Sequence, residues 1–204
     1  NQFDGIYTWD QDLVGFQSSH LLAQETTRIP KFSFQYPNVL PAGFKAGDIV
    51  NLGFAKRDIF CVLIGSNRHA NIKDSRELYS ERVKAIRWFE AHALESFALF
   101  GNGWKVPQKR LGSVGKMHYR LEKMIPWVTR KPAFPSYQGV AASKFGIYTQ
   151  SKFSICFENA RDISGYVTEK IFDCLFAGCV PIYWGEPNIE KIVPQACFID
   201  FRDF

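Results

Sequence analysis

Residues 151–184 read SKFSICFENARDISGYVTEKIFDCLFAGCVPIYW, and this stretch decides the fold. It begins with the apolar run Lys152–Phe157, which predicts a strand buried on both faces of a parallel sheet. A polar loop follows, and then a helix predicted over Thr168–Ala177 that Gly178 closes. The run Val180–Trp184 predicts the next strand. A strand, a helix and a second strand at this spacing are typical of a βαβ unit.

The same alternation continues on both sides of this stretch. Upstream, apolar runs that end at glycine predict strands over Asp58–Gly65 and Phe97–Gly101. Between them, an apolar stripe at helical spacing predicts a helix over Asp74–Ala93, with Asp74 as its N-cap. Downstream, Ala196–Asp200 predicts another strand. The predicted fold class is therefore α/β, a Rossmann-like doubly wound parallel sheet with helices on both faces.

Two parts of the chain lack a clear period. Residues 1–50 are mixed and rich in proline towards their end, which indicates the tail of one unit and a connecting segment. Residues 51–204 form the predicted sheet domain. Within it, the basic, proline-containing segment 105–143 is predicted to be loop with one helical stretch near Tyr119–Met124. Because the chain lacks an initiator Met and stops just after a strand-like run, we expect it to be a piece of a longer protein.

Composition narrows the class of protein. The 204 residues are 46% hydrophobic and 22% charged, which is ordinary for a globular domain. No run of about eighteen apolar residues and no signal peptide is visible. The net charge of +5 favours an anionic partner, either a nucleotide, a nucleic acid or a lipid headgroup. The five cysteines lie in apolar runs without a CxxC pair, which predicts buried free thiols of a reducing compartment.

The first candidate site lies where the strand ending at Gly65 passes to the predicted helix. In a doubly wound sheet, ligands bind outside the carboxyl ends of the strands. Arg82 lies four residues after Leu78 and four before Ile86, so it projects close to the apolar stripe. A guanidinium there needs an anion. Two interpretations stay open: a phosphate clamp, or a structural arginine that pairs with a protein carboxylate or extends past the stripe into solvent.

The second candidate site is the loop between Phe157 and Lys170, which runs into a short apolar helix. A cation is unfavourable in the first turn of a helix, so Lys170 indicates a nearby anion. A diphosphate at this N-terminus would meet backbone N–H groups, the helix dipole and the ammonium group together. Glu169 can accept hydrogen bonds from hydroxyls of a ribose or a sugar, and Tyr166 can donate one to phosphate. Each residue alone is also compatible with a solvated surface.

Other signals are weak. Asp10 and Asp12 form a DxD pattern, which some metal-dependent sugar transferases use, but its position favours a surface turn. The four histidines lack metal-ligand spacing, and no P-loop, GxGxxG or GxSxG string occurs. The basic stretch between Trp104 and Arg120 is compatible with single-stranded nucleic acid, but a solvated loop is the favoured interpretation.

Three linked blocks resemble the signature of glycosyltransferase family 10, the α1,3/1,4-fucosyltransferases. They are Lys152–Asn159, Tyr166–Lys170 and Ala177–Gly185. The resemblance implies a GT-B fold, with residues 1–50 as the end of an acceptor domain and the connection to residues 51–204, the GDP-fucose-binding domain. The donor-binding residues that it implies are Ser66, Asn67, Arg82, Glu158, Asn159, Tyr166, Glu169 and Lys170.

The resemblance also implies a reaction, an inverting transfer of L-fucose from GDP-fucose to a hydroxyl of an oligosaccharide such as one ending in GlcNAc or Glc. It implies no metal cofactor, no nucleic-acid partner, and a general base that lies upstream of this segment, so we name no catalytic residue. Another nucleotide sugar, or an inactive nucleotide-binding relative, stays open as an alternative. We expect a bacterial protein of the cytoplasm, or peripheral at the inner membrane through other parts of the protein. A Golgi enzyme whose anchor has been removed is the alternative.

Overall fold

The computed structural model describes residues 6–8, 31–33, 53–71, 73–129 and 131–204. The strands are numbered in chain order: β1 (Ile6–Thr8), β2 (Lys31–Ser33), β3 (Ile59–Ile64), β4 (Phe97–Phe100), β5 (Tyr137–Gly139), β6 (Ser151–Phe157), β7 (Val180–Trp184) and β8 (Ile199–Asp200). The helices are α1 (Tyr79–His92), α2 (Gly112–Thr129), α3 (Lys144–Gln150) and α4 (Glu169–Phe176).

The six strands from β3 onwards form one parallel sheet in the order β5-β4-β3-β6-β7-β8, and β1 pairs with β2 in a separate parallel ribbon. The predicted α/β class with a doubly wound parallel sheet is confirmed. The order reverses between β3 and β6, and this reversal is the point at which open parallel sheets bind ligands. The two candidate sites follow these two strands.

The core consists of one layer on each face of the sheet. Because side chains alternate along a strand, Val62 belongs to a cluster with Ile171 of α4, while its neighbour Leu63 belongs to a second cluster with Ile86 of α1. Strand β3 is therefore buried on both faces, as its continuous apolar run predicts. Helices α3 and α4 cover one face, and α1 covers the other.

The prediction for the start of α1 is wrong. The helix begins at Tyr79, five residues after Asp74. The carboxylate of Asp74 instead accepts the backbone N–H of Arg76, at 2.8 Å, and Glu77 forms a β-bridge with Ala160. Pairing with another loop has displaced the first helical turn, and Glu77 accepts the N–H of Ser80 with its side chain.

The prediction for residues 105–143 is also wrong, because it places too little of this segment in regular secondary structure. Helix α2 has 18 residues and includes Pro126, and strand β5 follows it. Helix α3 was not predicted, and β8 is limited to Ile199–Asp200 because Gln195–Cys197 forms a 3₁₀ turn. Prolines and basic residues obscure the helical period of α2, and β5 is too short to show a period of its own.

The prediction of buried free cysteines is confirmed at four positions, and at the fifth only the predicted burial is wrong; the reducing compartment stays a prediction. Cys61, Cys156, Cys174 and Cys179 are free and buried, whereas Cys197 is free and exposed. Burial raises the pKa of the Cys61 thiol well above its ordinary value, so this side chain behaves as a small apolar group.

A glycine at the end of β4 allows β3 and β4 to approach each other. Gly101 has a φ of 131°, and a Cβ atom there would lie 2.0 Å from the carbonyl oxygen of Gly65. We expect Gly101→Ala to lower the free energy of unfolding in urea by about 3 kcal/mol, through strain and this clash. Gly139→Ala is the matched control, since its φ is 109° and a Cβ would meet nothing within 4 Å. The control should cost only about 1 kcal/mol, and equal losses would show that the clash is irrelevant.

Candidate functional site

The loops after β3 and β6 meet at the carboxyl edge of the sheet, where the strand order reverses. The backbone N–H of Leu78 donates to the carbonyl of Asn159, at 2.9 Å, and the N–H of Arg161 donates to the carbonyl of Arg76, also at 2.9 Å. These bonds extend the bridge between Glu77 and Ala160. The two regions that the sequence singled out separately therefore form one structural unit.

Arg82 lies in the first turn of α1, next to the paired loops, and is only 8% exposed. Its Nη2 donates to the carbonyl oxygen of Phe157, at 2.7 Å, and to Oδ1 of Asn159, at 3.0 Å. Both acceptors are neutral, and no carboxylate oxygen of the described residues lies within 4 Å of the guanidinium. Burial lowers the pKa of Arg82, and the negative charge of Glu158 partly opposes that shift.

These contacts test the two structural interpretations of Arg82 that the sequence left open, and they leave the phosphate-clamp interpretation untested. A buried guanidinium does not extend into solvent, and within the described residues it has no carboxylate partner. Each of the two structural alternatives is therefore wrong for this part of the chain. The phosphate-binding role stays a prediction.

The carboxylate of Glu158 is completely buried at the end of β6. One oxygen accepts the backbone N–H of Thr168, at 2.8 Å, and the other accepts the Thr168 hydroxyl, at 2.7 Å, and the ammonium group of Lys170, at 2.9 Å. The carboxylate thus ties β6 to the first turn of α4. It faces these partners and not solvent, so Glu158 acts on a ligand through Lys170 and through the effect of its charge on Arg82.

Lys170 has the nearby anion that its position predicts, and that anion is Glu158. Its Nζ also bonds the Thr168 hydroxyl oxygen, at 2.6 Å. An ammonium group has three donors, and these contacts use two of them. Because the side chain is 23% exposed, the remaining donor is accessible to a ligand at the surface.

Asn159 and Tyr166 continue the chain of polar contacts from Arg82. The Asn159 amide accepts from the guanidinium with Oδ1 and donates with Nδ2 to the Tyr166 hydroxyl oxygen, at 3.1 Å. Glu169 is positioned differently. Its carboxylate lies 3.9 Å from Nζ of Lys144 on α3, and its side chain is 36% exposed, so it sits at the rim of the site.

Ser66 and Asn67 lie at the end of β3, next to the loop after β4. The Asn67 amide donates to the carbonyl oxygens of Gly103, at 3.1 Å, and Val106, at 2.9 Å. The carbonyl of Ser66 accepts the N–H of Arg68, at 2.8 Å. The two Asn67 contacts attach the loop after β4 to the loop after β3, and none of these hydrogen bonds joins Ser66 or Asn67 to Arg82.

Thr168, Gly185 and Glu186 were not predicted. The buried carboxylate of Glu186 accepts hydrogen bonds from the backbone N–H groups of Gly165 and Asn188. The bond to Gly165 attaches the loop between β6 and α4 to the segment that follows β7. A Cβ at Gly185 would lie 2.5 Å from Cγ of Glu158. The one available signal was position, since both Gly185 and Glu186 follow β7 at the same carboxyl edge.

This arrangement is suited to an anion. The hydroxyl of Thr168, the N-cap of α4, bonds Glu158 and makes no capping bond, so the first turn keeps free N–H groups. Lys170 adds a partly exposed cation, and Arg82 adds a charge that forms no ion pair within 4 Å with a carboxylate of the described residues. Together they match a diphosphate group.

The described residues contain no cluster of three or more His, Cys, Asp or Glu side chains that could hold a metal ion. Asp10 and Asp12 lie outside the described residues. Over the same part of the chain, no helix has both the length and the apolar character needed to cross a bilayer.

The fold and the site define an α/β domain with Arg82 and Lys170 at the carboxyl edge of its parallel sheet. Residues 104–204 match the model of "Glycosyltransferase family 10 (fucosyltransferase) C-term". This segment, 101 of the 204 residues, belongs to glycosyltransferase family 10.

Three curated relatives show how far the similarity extends. The chain is 46% identical over 56 residues to the alpha-(1,3)-fucosyltransferase FucT of Helicobacter pylori, which is 28% of this chain and 12% of that protein. It is 43% identical over 53 residues to an alpha-(1,4)-fucosyltransferase of Arabidopsis thaliana, which is 26% of this chain and 13% of that protein. It is 46% identical over 49 residues to GDP-fucose protein O-fucosyltransferase 3 of Xenopus tropicalis, which is 24% of this chain and 10% of that protein. The chain thus spans only a small part of each relative's length.

Among solved structures, an alpha1,3-fucosyltransferase with GDP-fucose aligns with a TM-score of 0.43 and 23% identity, covering 72% of this chain and 31% of that one. A structure of an alpha1,3-fucosyltransferase with GDP aligns with a TM-score of 0.42 and 22% identity, covering 72% of this chain and 31% of that one.

The buried pair of Glu158 and Lys170 gives a stability prediction. Glu158→Gln removes the charge opposite Lys170 and leaves an amide donor facing the ammonium group. We expect the free energy of unfolding to fall by about 2–3 kcal/mol, below the range for fully buried pairs because Lys170 is partly exposed. Chemical denaturation measures the change.

Glu169→Gln is the matched control for this substitution, since it removes the same charge eleven residues further on. Its carboxylate is partly exposed and 3.9 Å from its cationic neighbour, so the loss should stay below about 1 kcal/mol. If both variants were equally stable, the Glu158 carboxylate would not organise the site.

Proposed function

We propose that this chain is the donor-binding half of an inverting GT-B fucosyltransferase. It binds GDP-fucose at the carboxyl edge of its parallel sheet, between the loops after β3 and β6. The complete protein transfers L-fucose to a hydroxyl of an oligosaccharide acceptor. Residues 51–204 form the donor domain, and residues 1–50 end the acceptor domain and connect the two.

The observation that carries this proposal is the environment of Arg82. A buried guanidinium with only neutral acceptors leaves a positive charge that is not compensated within the described residues. Such a charge is costly unless a ligand supplies the counterion. The N-terminus of α4 and the free donor of Lys170 lie on the same loop system, so a diphosphate meets all three groups.

In the proposed reaction, negative charge develops on the diphosphate, next to Arg82 and Lys170. The bond between the fucose anomeric carbon and the diphosphate oxygen breaks, and its electrons leave with GDP. The acceptor oxygen attacks the opposite face of that carbon, which inverts its configuration, and a general base takes the hydroxyl proton. Arg82 and Lys170 stabilise the negative charge that develops on the diphosphate. A carboxylate of the acceptor domain supplies the base.

The tyrosine and acidic residues of the loop have separate roles in this proposal. The Tyr166 hydroxyl, oriented by Asn159, contacts the diphosphate. Glu169, at the rim and partly exposed, accepts hydrogen bonds from ribose or fucose hydroxyls. Glu158 fixes Lys170, and Ser66 and Asn67 shape the neighbouring wall of the pocket. No metal ion takes part, because the two cations supply the positive charge.

The names of the relatives support a donor function for the shared segment. They refer to α1,3 and α1,4 linkages and to a protein acceptor, yet each of these proteins is named as a fucosyltransferase. A segment shared among enzymes with different acceptors fits the common donor. For this protein we propose a GlcNAc or Glc residue as acceptor, in α1,3 or α1,4 linkage, on a bacterial glycan made at the cytoplasmic side of the inner membrane.

Calorimetric titration with GDP-fucose, GDP, GDP-mannose and UDP-glucose tests the donor site. We expect the guanosine ligands to bind and UDP-glucose to bind more weakly. Arg82→Ala and Lys170→Ala should each weaken GDP binding by about 1.5–3 kcal/mol, because each removes a charge-assisted contact to the diphosphate.

The matched control is Lys84→Ala, which removes an exposed cation from the same helix as Arg82 and should leave the affinity unchanged. Thermal unfolding checks that each variant is folded. A folded chain that binds no guanosine nucleotide, or variants that bind as well as the parent, would contradict the proposed donor site. A steep loss of affinity with salt would instead indicate many phosphate contacts and a nucleic-acid ligand.

A further inference from the structure

Helix α2 presents an apolar stripe to solvent. None of its 18 residues is buried. Six apolar side chains recur three or four positions apart, which places them on one side of the helix, and each is between 55 and 76% exposed. They are Val114, Met117, Leu121, Met124, Ile125 and Val128.

This exposure is unusual for its place in the fold. A helix that joins neighbouring parallel strands normally packs its apolar stripe onto the sheet, as α1 does between β3 and β4. Helix α2 joins β4 to β5, but its stripe lies on the outside. Contiguous exposed apolar surface of this kind marks a site of interaction.

The charge around α2 identifies the kind of partner. Residues 105–131 contain eight Lys and Arg residues and one acidic residue, Glu122, a net charge of +7 in a chain whose total is +5. The rest of the chain is therefore slightly acidic. Glu122 is itself paired with Arg110, at 2.8 Å, so the other cations around the stripe have no acidic competitor within this segment.

We infer that α2 binds the surface of an anionic lipid bilayer, with its apolar stripe among the acyl chains and its basic side chains at the headgroups. A helix with a basic polar face and an apolar stripe lies in the plane of such an interface. Trp127, 81% exposed, borders the basic face at the level that tryptophan favours.

Two other partners fit these observations less well. A second copy would bring two segments of charge +7 together, and like charges oppose that contact. A nucleic acid would satisfy the basic residues but would leave the apolar stripe in water. An anionic bilayer satisfies both features of the helix.

The position of α2 relates this surface to the candidate site. The Gln108 amide, just before the helix, donates to the carbonyl oxygens of Arg68, at 2.6 Å, and Tyr79, at 3.2 Å. The segment is thus fastened to the loop after β3 and to the start of α1. A bilayer bound by α2 therefore holds the carboxyl edge of the sheet near the membrane surface.

Co-sedimentation of the 204-residue chain with vesicles tests the inference. Vesicles of phosphatidylcholine with about a third phosphatidylglycerol should bind the chain, and pure phosphatidylcholine vesicles should bind it far more weakly. Leu121→Glu should abolish binding, because it places a carboxylate in the apolar stripe. Lys116→Ala and Arg120→Ala should each reduce the partition coefficient about fivefold, as expected for one basic residue near an anionic surface.

Matched controls lie outside residues 105–131. Val140→Glu changes an apolar side chain that is 64% exposed, and Lys56→Ala removes an exposed cation before β3. Both should bind like the parent. Because none of these residues is in the donor site, GDP affinity should be unchanged in every variant, so a failure here is separate from a failure of the proposed function.

Three outcomes would overturn the inference. A folded chain that does not bind anionic vesicles contradicts it, and so does equal binding by Leu121→Glu and Val140→Glu. The third is a concentration-dependent dimer in sedimentation velocity that Leu121→Glu dissociates while vesicle binding is absent, since the stripe would then join two copies.

Discussion

The buried carboxylate of Glu158 is the interaction on which the site depends. It stands at the end of β6 and accepts hydrogen bonds from the backbone and hydroxyl of Thr168 and from the Lys170 ammonium group. A buried carboxylate is costly unless it is paired and hydrogen-bonded. The first turn of α4 must therefore sit where these donors reach the carboxylate, and the following loop from β7 must have glycine at Gly185 to leave room for it.

Arg82 differs from Glu158 and Lys170 in the kind of partner that holds it. Glu158 and Lys170 neutralise each other, whereas Arg82 is held by a carbonyl and an amide oxygen that carry no net charge. Among the described residues, the site thus keeps an excess positive charge in a place with little access to water. Electrostatic interactions are stronger in such a place than at the open surface, so an anionic ligand gains more there than from the exposed lysines elsewhere.

Strands β3, β4 and β7 were predictable because each is a continuous apolar run that the chain ends with glycine or a polar loop. Strand β6 was predictable in the same way. The loops after β3 and β6 were singled out separately, and only the strand order of the structure shows that they are neighbours. The start of α1 was not predictable, because residues 76–78 pair with residues 159–161, which lie 81 to 85 positions further along the chain. The partners of Glu158 and Glu186 depend on how one loop lies over another, and no sequence period records that.

We propose that Arg82 and Lys170 bind one diphosphate at the N-terminus of α4, and a crystal structure of the chain with GDP tests this arrangement. We expect the diphosphate oxygens to lie within hydrogen-bonding distance of the Arg82 guanidinium, the Lys170 ammonium group and backbone N–H groups of the first turn of α4. A diphosphate bound elsewhere, for example among the lysines of residues 105–131, with Arg82 still facing only Phe157 and Asn159, would show that these two cations do not form the donor site.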